Sequence, residues 1–70
     1  MEWVETPESS NIARFGYDAN EGVLTIEFSK GGMYNYYDVP EATFTDMQAA
    51  QSKGKFHAIN VKGKFRYARV

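Results

Sequence analysis

The sequence predicts a small α+β domain: an antiparallel sheet of three or four strands with two helices packed on one face. Three observations carry that expectation. Val23-Leu24-Thr25-Ile26-Glu27-Phe28 alternates β-forming residues between glycine-bearing turns. Pro40 is followed by Phe44 and Met47, one helical turn apart. The chain has 70 residues, enough for one core and no more.

In chain order, residues 1–8 read as a polar lead-in, and residues 9–70 as the single domain. Pro7, Ser9, Ser10 and Asn11 are turn formers. Ile12–Tyr17 suits a strand, and Asp18–Gly22 a turn in which Asn20 and Gly22 tolerate positive φ. Val23–Phe28 and Met33–Tyr37 then form a hairpin about Lys30-Gly31-Gly32. Keeping apolar residues on one face sets Phe28 opposite Tyr34 and Ile26 opposite Tyr36, since a one-residue slip would put Asn35 on the apolar side. Tyr34 and Tyr36 are therefore expected on the core side with hydroxyls at its rim, and Tyr37 on the other face. Pro40 opens the first helix, with Phe44, Met47 and Ala50 inward. Ser52 caps a second helix that Gly63 ends, with Phe56 and Ile59 sharing one face at i, i+3. Lys64–Val70 alternates basic and apolar residues, as a fourth strand or an ordered tail would.

A chain this short leaves much of its surface exposed. Five Phe, five Tyr and one Trp supply the buried area that small size withholds. There is no cysteine, hence no disulfide or thiolate site. Met1–Glu5 is acidic and lacks the pattern of a targeting signal, and no apolar run is long enough to span a bilayer. The expected setting is cytoplasmic, without a membrane partner.

The net charge of −1 hides a division. Residues 1–50 carry two basic and nine acidic side chains, whereas residues 51–70 carry six basic and none acidic. That asymmetry points to an anionic partner; the bland alternative is pairing between the basic end and the acidic body. Lys53, Lys55, Lys62, Lys64, Arg66 and Arg69 alternate with Phe56, Phe65 and Tyr67, and cations among rings suit phosphates and bases. With His57 and Tyr37, the candidate nucleic-acid or nucleotide contacts are Lys53, Lys55, His57, Lys62, Lys64, Arg66, Tyr67, Arg69 and Tyr37. The bland reading of the same pattern is an edge strand protected by lysines.

Catalysis is not expected. His57 is the one histidine and has no acidic neighbour in sequence, so no nucleophile–base pair is marked. No set of ligands has metal-binding spacing, and no cofactor is expected. Gly31-Gly32 lacks the pattern of a phosphate-binding loop.

Taken together, Ser9-Ser10-Asn11-Ile12, Gly16-Tyr17-Asp18, Leu24–Phe28, Gly32, Tyr34-Asn35-Tyr36, Val39-Pro40, Ala50, Ser52, Gly54 and Phe56 follow a familiar order. Over about residues 8–67 the chain resembles the KTSC domain, named from the C-terminal extension of some lysyl-tRNA synthetases. The resemblance implies a free-standing binding module rather than an enzyme, with RNA suggested by the synthetase setting. Its signature here is Ser10, Asn11, Gly16, Tyr34, Tyr36, Pro40 and Gly54, read as structural. One departure is His57, where family members often carry Asn, so a role for that Asn does not carry over. Two further expectations stand beside RNA binding: a small homo-oligomer holding a nucleotide-like ligand between subunits, and a protein-interaction adaptor using a sheet edge.

Overall fold

The computed structural model describes residues 1–70. The strands are β1 (Glu2–Glu5), β2 (Ile12–Asp18), β3 (Val23–Phe28), β4 (Gly32–Tyr36) and β5 (Tyr67–Arg69). Between β4 and β5 lie α1 (Glu41–Ala49) and α2 (Lys53–Phe56), the latter running into a π-helical turn over His57–Val61. The sheet is an antiparallel meander of five strands in the order β1-β2-β3-β4-β5.

The expected class holds, with more strands than the three or four anticipated. The segment expected as a polar lead-in supplies the first: β1 pairs with β2 from Glu2↔Tyr17 to Glu5↔Arg14. Its four residues show no run of β formers. They become a strand because Trp3 lies flat over Gly16, where a Cβ would meet the indole at 2.7 Å. Arg14 stacks its guanidinium 4.1 Å from the Trp3 ring and donates from Nε to Glu27 Oε1 at 2.6 Å. Buried Thr6 closes the β1–β2 connection by donating Oγ1–H to the Ile12 carbonyl at 2.5 Å, beside a register irregularity between Ile12 and Arg14.

The β3–β4 hairpin keeps the expected faces but in a register displaced by two residues. Phe28 pairs with Gly32, Ile26 with Tyr34 and Leu24 with Tyr36. The turn is therefore Ser29-Lys30-Gly31, and Gly32, at φ +88°, is the first residue of β4. A two-residue shift leaves every side chain on its own face, so face polarity alone cannot distinguish the registers. The Thr25 hydroxyl, donating to Asn35 Oδ1 at 2.6 Å, ties the observed one on the outer face.

The core is the inner face of the sheet, with α1 and the π-helical turn laid on it. Ile12, Phe15, Tyr17, Leu24, Ile26 and Tyr36 meet Val39, Phe44, Met47 and Val61. Phe44 stacks on Tyr17 (5.2 Å, 16°) and meets Phe15 edge-on (5.7 Å, 75°). The Tyr17 hydroxyl donates to the Val39 carbonyl at 2.5 Å, anchoring the approach to α1. Pro40 stands at the N-cap of α1, as expected. Ala50, expected to continue the inward face, instead ends the helix in extended conformation.

One turn expectation is corrected. Gly22 takes positive φ (+68°) but Asn20 does not; the one non-glycine residue that does is Asp38 (+58°). In the Asp18–Gly22 turn Asp18 Oδ1 accepts from the backbone N–H groups of Asn20 and Glu21, which fixes the turn without a left-handed Asn20.

Gly16→Ala should place a methyl group inside the Trp3 contact and displace β1. The expected loss is about 1–3 kcal/mol, as for overpacking elsewhere. Urea unfolding checks this, together with a red shift of Trp3 emission in the folded state; unchanged emission and midpoint would show that β1 is not held this way.

Candidate functional site

α2 starts where expected: the Ser52 hydroxyl accepts from the Lys55 N–H at 3.1 Å. It does not continue as a regular helix. Lys62 N–H donates to the His57 carbonyl, five residues back, at 2.8 Å, widening the turn. Gly63, at φ +78°, follows the C-cap residue Lys62 and ends the segment as expected. The widened turn separates Phe56 and Ile59, expected to share a face. His57 and Val61 are buried, Phe56 is half-buried, and Ile59 is 66% exposed.

His57 thereby reaches the sheet. Its Nε2 lies 2.8 Å from the Tyr36 hydroxyl. The rings of Phe28 and Tyr36 meet the imidazole edge-on at 5.1 and 5.5 Å. The two share one hydrogen bond, whose donor is set by the imidazole tautomer. Burial lowers the His57 pKa, and the nearby Lys62 charge lowers it further. Burial raises the Tyr36 pKa, with smaller contributions from Tyr34 and Tyr67. The pair is therefore uncharged near neutrality.

This pair lines a cleft of about 750 Å³ between the β3–β4 turn, the π-helical turn and β5. Phe28, Tyr34, Tyr36 and Tyr67 give it aromatic walls, and Asn11, Gly31, Gly54, Ala58 and Gly63 complete it. Tyr67 leans on Tyr34 and Tyr36 at 5.9 and 5.8 Å, yet is 59% exposed. The only charged side chains in the lining are Lys30 and Lys62. In an acidic chain, no carboxylate faces this cleft.

Of the sequence-predicted contacts, the structure brings His57, Lys62 and Tyr67 together here and disperses the others. Lys53 donates to the Gln48 and Ala50 carbonyls at 2.9 and 2.5 Å, capping the end of α1. Arg66 lies 3.5 Å from Asp38 and 5.1 Å from the Tyr37 ring centre, and both Arg66 and Tyr37 are outside the cleft lining. Arg69 covers Gly32, its guanidinium 3.0 Å from where a Cβ would stand. Lys55 and Lys64 are exposed and outside the lining. Conversely, Asn11, Tyr34, Tyr36 and Gly54, read from sequence as structural, line the cleft as well as supporting the fold. Gly16 and Pro40 keep purely structural places, and exposed Ser10 lies beside a second, polar cleft. Sequence reasoning missed Lys30 and Phe28; the hairpin turn that carries Lys30 gave no sign that it would fold toward residues 57–63.

These features can be set against known proteins. The family model of the KTSC domain matches residues 8–65. The chain belongs to the KTSC domain family. A KTSC domain protein from Yersinia pestis, known as a crystal structure, superposes with a TM-score of 0.90 at 36% identity, covering 97% of each chain. A protein from Tsukamurella paurometabola is 46% identical over 59 residues, covering 84% of this chain and 88% of its own length. The lysine–tRNA ligase of Nostoc punctiforme is 39% identical over 64 residues; this match takes in 91% of this chain but 11% of the ligase. The KTSC domain thus occurs both as most of a small protein and as a minor part of a synthetase.

The lowered pKa of His57 predicts a pH dependence of stability. His57 titrates near about 6.5 when unfolded and lower when folded, so acidification protonates the unfolded chain first. Its contribution is fully present above about 6.5 and is lost as pH falls from there through the folded-state value. Urea midpoints should fall over that window, and His57→Gln should flatten the fall. Tyr36→Phe should cost about 1–3 kcal/mol by leaving Nε2 unpaired. A wild-type midpoint that is level across this window would remove His57 from the account.

Proposed function

We propose that this KTSC domain is a non-enzymatic module that binds single-stranded RNA, taking a base into the aromatic cleft. One observation carries the reading: a cleft with four aromatic walls whose only charged side chains are Lys30 and Lys62. Tyr67 offers an open ring face for stacking, and the two lysines attract the phosphates that flank a stacked base. Neutral His57 and the Tyr36 hydroxyl supply polar atoms at the floor. No helix is long and apolar enough to cross a membrane, and the proposed setting is the cytoplasm, where RNA is at hand. The occurrence of the domain within lysine–tRNA ligases is in keeping with an RNA ligand.

Compared with a diffuse basic C-terminal surface, the cleft is the better-supported site, because it gathers four rings and two lysines in one concavity whereas Lys53 caps α1. A second reading is a free nucleotide in the same cleft. Its concavity and volume of about 750 Å³ favour this, since small-ligand pockets have such sizes. The cleft lies within one chain, so neither reading needs a subunit interface.

Fluorescence anisotropy with a labelled single-stranded oligoribonucleotide tests the proposal. Tyr67→Ala should weaken binding by about tenfold or more, the scale of one lost base–aromatic stack. Lys30→Glu with Lys62→Glu should weaken it further and make the salt dependence shallower. Lys55→Glu with Lys64→Glu should have a smaller effect. Equal losses from the two lysine pairs would return the site to the basic C-terminal surface. Binding of mononucleotides as tight as that of the oligomer would favour the second reading.

A further inference from the structure

The aromatic cleft does not stand alone. Asn11 and Gly54 line it, and both also line a polar cleft of about 370 Å³. The boundary between the two is low. Gly54 has no side chain, and a Cβ there would lie 3.8 Å from Asn11 Cβ and 3.9 Å from Asn11 Nδ2. The Asn11 amide therefore sits over Gly54, and Asn11 is exposed. Its backbone N–H is taken up by Ser9 Oγ at 3.3 Å, leaving the side chain as the feature that a ligand crossing the boundary meets.

The clefts differ sharply in chemistry. The aromatic one carries lysines and no acid. The polar one has a single hydrophobic residue, Val4, and its charged lining residues are Glu5, Glu8 and Lys53, beside Ser10, Gln48 and Gln51. The Lys53 ammonium is held by the Gln48 and Ala50 carbonyls, whereas Glu5 and Glu8 are exposed and in no ion pair. Such a lining repels a terminal phosphate, which bears up to two charges, and accepts hydrogen bonds from hydroxyl groups. A ribose meets that requirement, and its 2′-hydroxyl is the donor that separates RNA from DNA.

Resting on the RNA reading above, we propose that the two clefts together recognise a ribodinucleotide step. The base of one nucleotide stacks against Tyr67 in the aromatic cleft. The singly charged phosphodiester crosses at Asn11 and Gly54, where the Asn11 amide donates to it. The ribose of the adjoining nucleotide enters the polar cleft, its 2′-hydroxyl donating to Glu8. The site selects RNA over DNA by this second cleft, and a polymer over a free nucleotide by the crossing.

The test titrates the full chain, followed by NMR chemical shifts, with ApA and UpU, their deoxy counterparts, and AMP and UMP. The ribodinucleotides should bind about tenfold tighter than the deoxy forms, the scale of one charge-assisted hydrogen bond. They should shift signals of Asn11, Ser10 and Gln51 as well as Tyr34 and Tyr67. Glu8→Ala, on the surface, should erase the ribose preference while deoxydinucleotide binding persists or tightens, since the carboxylate that repels phosphate is gone. Equal binding of ribo and deoxy forms, with shifts confined to the aromatic cleft, overturns this inference while leaving base binding intact. Absence of binding by every probe overturns both it and the reading on which it rests.

Discussion

The Tyr36 hydroxyl and His57 Nε2 meet at 2.8 Å beneath the cleft, and much of the molecule is arranged around that contact. It fastens the segment after α2 to the C-terminal end of β4, on the hairpin that also carries Phe28 and Tyr34. Both polar atoms are buried, and each satisfies the other in surroundings where an unpaired group would be costly. The widened helical turn is the backbone's accommodation: it turns His57 and Val61 inward together and leaves Ala58, Ile59 and Asn60 toward solvent. Without the widened turn, the half-buried Phe56 and exposed Ile59 would compete for the place that His57 occupies.

That arrangement explains how a chain this small can have both a core and a cleft. α1 covers the β2–β3 half of the inner face through Phe44 and Met47, while the π-helical turn reaches only the β3–β4 half through His57 and Val61. The sheet then continues to β5 with nothing laid over Tyr67. The uncovered remainder of the inner face becomes the aromatic cleft, and so the rings of Tyr34 and Tyr36 serve fold and site at once. The outer face is managed differently. Trp3, Arg14 and Glu27 cover it with a cation–ring contact and an ion pair, and Thr25 and Asn35 pair beside them. No helix is needed there, in keeping with an antiparallel sheet that has one solvated side.

The electrostatic division of the chain undergoes a similar sorting. Six cations follow one another within residues 51–70, but folding sends them to different tasks. Lys53 caps α1, Arg66 lies near Asp38 and Tyr37, Arg69 covers Gly32, and Lys62 alone enters the aromatic cleft. Its companion there, Lys30, comes from the acidic part of the chain. Linear charge asymmetry thus located one of the two lysines in the cleft and overstated the rest of the segment.

What the sequence determined by itself was whatever depends on neighbours along the chain. The alternation of Val23–Phe28, the start of α1 at Pro40, the Ser52 cap and the Gly63 stop all follow from local preference and periodicity, and each is found in place. The ordered motifs from Ser9 to Phe56 carried the family in the same way. Tertiary structure decided the rest. Glu2–Glu5 is a strand because Gly16 makes room for Trp3, a contact across the sheet. The hairpin register was open because a two-residue shift preserves both faces; long-range packing and the Thr25–Asn35 bond go with the observed one. The helical face at residues 56–61 was misread because a regular 3.6-residue period was assumed where the turn widens. The cleft itself has no counterpart in local sequence, since it exists only where the β3–β4 turn, His57 and Tyr67 are brought together by a sheet whose strands come from opposite ends of the chain.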